Sequence, residues 1–167
     1  IGESKDGASG AVMVRGVDPA LERQVSAIGE RMRGGSLDAL EPGAYRILLG
    51  AEVAGRLGVE LGDTVVLAIA QGTVTPTGVV PRMRRFTVGG VFYSGMYEID
   101  NGLALVHMRD ASRLFRMGDG VTGLRLAMHD PLLAPSVSRE VAQALGGGLW
   151  VEDWTQRHAN FFRSIEL

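Results

Sequence analysis

Residues 64–92 read TVVLAIAQGTVTPTGVVPRMRRFTVGGVF. Two apolar runs, Thr64–Ala70 and Phe86–Phe92, have the length and composition of strands. The stretch between them, Gln71 to Phe86, is far longer than the roughly two to five residues of a tight hairpin. It also lacks the Gly/Ser softness of a flexible linker. Pro76 and Pro81 stiffen it and remove two amide donors. Val74, Val79, Val80 and Met83 make it apolar, and Arg82, Arg84 and Arg85 close it with positive charge. From Thr64 through Tyr97 those three arginines are the only charged side chains. The expectation is a long, stiff arm, apolar and locally basic, held out for a partner. Arg and Met are enriched at interfaces, and a basic arm on a mildly acidic chain steers an acidic partner. The plain alternative is an excursion whose arginines pair with Glu98 or Asp100.

The elements on either side are short. Upstream, Tyr45–Leu49 reads as a strand and Gly50–Leu57 as a helix stopped by Gly58, with a Gly62-Asp63 turn before the next strand. Ala11–Val17 reads as a strand, and Asp18 and Pro19 as the N-cap and first residue of a helix. Leu21, Val25, Ile28 and Met32 continue that helical spacing to Gly34-Gly35. Downstream, Tyr97–Gly102 reads as an acidic turn, Leu103–His107 as a strand, Asp110–Met117 as a helix and Val121–Met128 as a strand. A helix over Ser136–Leu145 and a short strand at Leu149–Val151 follow. Trp154, His158, Phe161 and Ile165 lie on one stripe of a last helix. Strands and helices mix without regular βαβ alternation, which is the signature of an α+β fold.

Composition removes several function classes. The 167 residues suffice for one domain or two small subdomains, and 46% hydrophobic content supplies a core. A net charge of -2 and 6% aromatics do not suit a nucleic-acid surface. The absence of cysteine excludes disulfides, thiolate catalysis and Cys-ligated metals. No apolar run approaches the ~20 residues of a membrane helix. The chain opens at Ile1 without Met and closes inside a helical pattern, which reads as a piece of a larger protein.

No catalytic constellation emerges. His107, His129 and His158 form no i,i+3 or i,i+4 pair, and no metal or cofactor is expected. Ser36 and Ser94 are loop serines with no evident base. Gly7–Gly16 is glycine-rich but lacks the Lys-Ser/Thr of a phosphate loop. Glu98 and Asp100 read as turn residues and Asp153 as a helix cap. A small-barrel enzyme or ligand-binding module built on Gly58–Leu67 would need Glu98, Asp100 and His107 to converge in one cleft.

The ordered set ILLGAEVAGRLGVELGDTVVL (47–67), TPTGVVPRMRRF (75–86), VGGVFYSGMYEID (88–100), DASRL (110–114), VTGLRL (121–126) and VEDW (151–154) resembles the periplasmic domain of lipoprotein-releasing ABC transporter permeases, the LolC/LolE family. The resemblance implies a MacB-like periplasmic core. In it, residues 17–127 would form a strand-rich Sabre-like subdomain bearing a protruding β-hairpin arm at about 72–85. Residues 1–16 and 128–153 would form a Porter-like subdomain lacking its N-terminal part, and 154–167 would start a stalk helix toward the second membrane helix. The chain would be a non-catalytic, periplasmic part of a Gram-negative inner-membrane protein. ATP hydrolysis would fall to a separate LolD-like subunit, beside a second permease copy. Lipoproteins would pass to the soluble carrier LolA.

In LolC-type subunits a hairpin hook captures that carrier. By position, Thr75, Pro76, Val79, Val80, Pro81 and Met83 would then form the tip and sides of the hook, and Arg82, Arg84 and Arg85 its base or flank. LolE-type subunits share the fold without docking the carrier, and single permeases combine both roles. The runner-up is a MacB-like efflux or mechanotransmission permease that binds an adaptor.

Overall fold

A computed structural model describes residues 7–157. Its contacts divide the chain into two units, Ile1–Arg125 and Leu126–Leu167. The first unit carries six strands: β1 (Met13–Val17), β2 (Met32–Gly35), β3 (Arg46–Gly50), β4 (Thr64–Thr75), β5 (Gly78–Phe92) and β6 (Leu103–His107). They form one mixed sheet in the order β1-β6-β3-β5-β2, with β4 also paired to β5. Four helices accompany them: α1 (Pro19–Val25), α2 (Ala51–Leu57), α3 (Tyr97–Gly102) and α4 (Met108–Phe115). The class is mixed α and β, as the irregular alternation of elements predicts.

β3 and β6 are the centre of the sheet, and both of their faces are buried. Ile47 and Leu49 of β3, with Ala104 and Val106 of β6, face one cluster with Val53, Ala54 and Leu57 of α2, Ala111 and Leu114 of α4, and Phe86 and Val88 of β5. Leu48, Leu103 and Leu105 face the other, with Val17, Leu37, Leu40 and Phe92. This is period-two alternation with apolar residues in both phases, as expected of strands covered on two sides.

Local signals set several boundaries. Asp18 accepts a bond from the Ala20 amide at 2.9 Å, and Pro19 opens α1. Gly58 ends α2 at φ 63°. Gly62 donates to the Val88 carbonyl and Val88 donates to that of Asp63, both at 2.8 Å, so the turn before β4 is tied to β5. Glu22 is buried against Arg125 at 2.8 Å.

Other expectations are overturned. The spacing of Leu21, Val25, Ile28 and Met32 does not build one helix. α1 stops at Val25, Ile28–Glu30 is a 3-10 turn, and Met32–Gly35 becomes β2. β2 pairs antiparallel with Gly90–Phe92, and satisfying that edge outweighs the helical spacing. Tyr97–Gly102 is a helix rather than a turn. Val121–Met128 and Leu149–Val151 are not strands among the described residues. Their apolar residues suit a strand, but among the described residues no strand pairing takes up their backbone, and Leu124 stays 85% exposed.

The second unit holds a 3-10 turn (Pro131–Leu133), α5 (Ala134–Ala144) and α6 (Trp154–Arg157). Asp153 is buried and caps α6 as the sequence predicts. It accepts from the Thr155 hydroxyl at 2.5 Å and amide at 2.8 Å, and from the Ser138 hydroxyl at 3.1 Å. His158, Phe161 and Ile165, on which the expected stalk depends, lie outside the described residues.

Two outcomes are expected. Phe86→Ala should cost about 3–5 kcal/mol of unfolding free energy in urea titration, whereas Val79→Ala on the exposed arm should stay within about 0.5 kcal/mol. The bond from the Thr155 hydroxyl, with lesser ones from the Thr155 amide, the Ser138 hydroxyl and the Gln156 amide, lowers the Asp153 carboxyl below the ordinary aspartate range. Folding therefore favours its ionised form. That stabilisation is present above the unfolded pKa and is lost as pH falls through the lowered folded value. Carboxyl NMR titration should place Asp153 below an ordinary aspartate, and a midpoint at or above it would contradict the cap.

Candidate docking arm

The arm is a continuation of the sheet rather than a separate link. β4 runs on to Thr75 and β5 starts at Gly78, so only Pro76 and Thr77 turn the chain. The stretch from Gln71 to Phe86, read from the residues as a long link, is therefore mostly paired strand. Polar and proline residues interrupt the apolar pattern at Gln71, and that interruption concealed two strands whose backbones pair without needing a buried face.

The burial of β5 shows where the ribbon leaves the body. Phe86, Val88, Gly90 and Phe92 are buried at alternate positions, whereas Gly78–Pro81 and Met83–Arg85 are exposed. β5 pairs with β3 only from Thr87 onward, so residues 78–86 have β4 as their sole strand neighbour. Eight steps from Phe86 to Gly78 give the ribbon a reach of roughly 25 Å.

An irregularity between Ile69 and Thr73 bends the ribbon. Thr73 pairs with Val80 and Ile69 with Arg82, so three residues of β4 lie opposite Pro81 alone. Proline has no N–H to give the ladder and is tolerated at such a bulge. Gly72 is required there: a Cβ on it would lie 1.7 Å from the Val80 carbonyl oxygen. At the tip, the Thr75 hydroxyl donates to the Gly78 carbonyl at 2.7 Å and lies 3.1 Å from that of Thr77.

Strand alternation sorts the nine candidate residues. Val79, Pro81, Met83 and Arg85 share one face of β5. Val74, paired with Val79, joins that face and is 81% exposed. Val80, Arg82 and Arg84 point the other way, on the side that Phe86 turns to the core. Thr75 and Pro76 belong to the turn. The three arginines are therefore not one cluster. Arg82 donates to the Leu114 carbonyl at 3.0 Å, and the Arg84 guanidinium stands 3.7 Å from the centroid of the Tyr45 ring. Tyr45 in turn packs edge-on against Phe86 at 5.6 Å. Neither Glu98 nor Asp100 pairs with these arginines.

Tyr45 and α4, which brace the base of the arm, carry no sequence signal for that role because the Arg82–Leu114 contact spans 32 residues and the Arg84–Tyr45 contact 39. Asp110 joins them. Its buried carboxylate accepts from the Gly43 amide at 2.7 Å and the Tyr45 amide at 3.1 Å. Of the groups weighed for chemistry, Asp100 and His107 are engaged in structure. Asp100 accepts from the Ser94 amide and hydroxyl and the Gly95 amide. The His107 Nδ1 accepts from the Arg109 amide at the start of α4. Asp100 and His107 sit at opposite ends of β6 and do not form a cleft with Glu98. Among the described residues no three His, Cys, Asp or Glu side chains gather, and no helix is long and apolar enough to cross a membrane.

Gly72→Ala should displace the outer ribbon. Hydrogen exchange should quicken at the paired amides of residues 73–80 while those of β3 and β6 keep their protection; unchanged exchange at 73–80 would show that the close approach is not a constraint.

The MacB-like periplasmic core domain family matches residues 2–144. The chain is 47% identical over 155 residues to the lipoprotein-releasing system transmembrane protein LolC of Xylella fastidiosa (strain 9a5c), covering 93% of this chain and 37% of that protein. It is 41% identical over 157 residues to LolC of Neisseria meningitidis serogroup B, covering 93% of this chain and 38% of that protein. To LolE of Haemophilus influenzae it is 25% identical over 157 residues, with shares of 93% and 37%. The chain thus spans little more than a third of the length of these relatives. With the matched region running through every strand of the sheet and both strands of the arm, the chain belongs to the MacB-like periplasmic core domain family, on its LolC/LolE side.

Proposed function

We propose that this chain is the periplasmic domain of a lipoprotein-releasing permease of the inner membrane, and that its β4–β5 ribbon docks a soluble lipoprotein carrier of the LolA type. The observation that carries the docking reading is the outer face of the ribbon. Val74, Val79 and Met83 are 81%, 58% and 59% exposed on a two-stranded element that reaches away from the sheet. Exposed apolar surface beside a guanidinium, here Arg85, is the composition of an interface centre. A stiff ribbon loses little conformational entropy when it is captured.

The similarity to LolC proteins supports the rest of the reading. The domain takes no part in ATP hydrolysis, which falls to a LolD-like subunit acting with a second permease copy. Residues 17–127 correspond to the Sabre-like subdomain, 1–16 and 128–153 to the Porter-like one, and 154–167 to the start of a stalk. Arg82 and Arg84 act here as braces that aim the arm, while Thr75, Pro76, Val79, Val80, Pro81, Met83 and Arg85 offer surface to the carrier.

The deciding experiment is capture of purified LolA-type carrier by this chain. Met83→Asp should weaken capture roughly tenfold or more while the melting temperature stays within about 2 °C, because the side chain is outside the core. Capture undiminished by Met83→Asp and by replacement of residues 76–85 would exclude the ribbon as the docking element.

A further inference from the structure

At the base of the arm lies a recess of about 240 Å³ lined by Tyr45, Arg82, Met83, Arg84, Arg113, Leu114 and Arg116. Four of these seven residues are arginines, and none is a carboxylate. Among the described residues none of the four makes an ion pair. Of the two acids nearest in sequence, Asp110 spends both carboxylate oxygens on the Gly43 and Tyr45 amides, and Asp119 makes no ion pair among the described residues.

Structural duties account for part of this charge. Arg82 donates to the Leu114 carbonyl at the negative end of α4, and Arg84 lies over the Tyr45 ring. A helix end offers about half an elementary charge, which is far short of four guanidinium groups. An uncompensated surplus of like charge around one concavity is unfavourable unless an anion shares it.

Two further observations converge on the same place. The Arg82 Nε is the one buried side-chain nitrogen or oxygen without a hydrogen-bond partner among the described residues. A buried cationic N–H left unpaired is costly. In addition, just two described residues other than glycine hold positive φ, Tyr45 at 50° and Arg116 at 53°, and both line this recess. Left-handed backbone in residues with a Cβ is strained, and such strain gathers at binding sites.

We propose that this recess is a binding site for a phosphate-type oxyanion. The four arginines that line the space come from β5 and from the C-terminal end of α4 and its cap. That arrangement suits a tetrahedral anion with several acceptor oxygens better than a planar carboxylate, which one guanidinium fork saturates. The volume lies below the roughly 300–1,000 Å³ of pockets for whole drug-sized ligands, so it fits a phosphate group or a headgroup rather than an entire lipid. The site does not depend on the carrier-docking reading, because Arg113 on α4 and Arg116, which caps that helix, lie outside the arm.

Calorimetric titration of the chain with inorganic phosphate, against sodium chloride at matched ionic strength, tests the site. A second arm measures co-sedimentation with vesicles of phosphatidylcholine containing phosphatidylglycerol, with pure phosphatidylcholine vesicles as the blank. Arg113→Gln and the double variant Arg113→Gln/Arg116→Gln remove recess charges. Arg109→Gln/Arg139→Gln removes as many charges outside it. Phosphate binding above the chloride background, weakened about tenfold or more by the recess variants and kept by the control pair, supports the site with a soluble anion as ligand. A response to phosphatidylglycerol alone, with the same variant pattern, supports it with a lipid headgroup as ligand. If neither response depends on Arg113 and Arg116, the proposal is overturned, including the case in which only carrier capture senses them. Should the double variant melt well below the parent chain, Arg113→Gln alone decides the outcome.

Discussion

Phe86 is buried at the point where β5 leaves the sheet, and the arm depends on that burial. From Thr87 onward β5 is a core strand, hydrogen-bonded to β3 and, nearer its end, to β2. Before Phe86 it has only β4 beside it. One continuous backbone therefore carries both the core and the ribbon. Extended strand has little freedom to swivel, so the packing of Phe86 and Val88 against α2, α4 and β3 fixes the direction in which the arm starts. A flexible loop of the same length would need its own ordering on every encounter.

The same strand decides which side of the arm meets solvent. Alternation carries the core-facing phase of Phe86 outward to Arg84, Arg82 and Val80, so two arginines turn back toward Tyr45 and α4. Their partners are a π face and a carbonyl rather than carboxylates, so the arm is braced and its positive charge is left unneutralised. Asp110 completes the brace by fixing the Gly43–Tyr45 segment to α4. Arg85, one residue along, points the opposite way with Met83 and Val79. Val74 and Val79 thus lie on one face of the ribbon and Arg82 and Arg84 on the other, although these residues alternate in the sequence, and Met83 borders the recess as well.

Much of the body was legible from local chemistry. The Asp18-Pro19 start of α1, the stop at Gly58, the Gly62-Asp63 turn and the Asp153 cap each have a bond within a few residues at their centre, and all are found. Failures fall where non-local pairing decides. Met32 has helical spacing from Val25 and Ile28, yet the open edge of β5 draws Met32–Gly35 into a strand. Val121–Met128 has the alternation of a strand, yet among the described residues it forms no strand pairing.

The sequence by itself determined that residues 71–86 are stiff, apolar and basic, that no catalytic set accompanies them, and that the ordered pieces of the chain resemble one family. These properties follow from composition and spacing and need no folded context. Tertiary structure decided the register of the two strands and the two-residue turn between them, that Gly72 is required close to the Val80 carbonyl, and that the arginines divide between two faces. It also brought Tyr45, Arg113 and Arg116 to the base of the arm. The physical reason is that strand pairing and close approach are made between residues far apart along the chain, whose meeting is set by how the sheet and α4 pack and not by any local pattern.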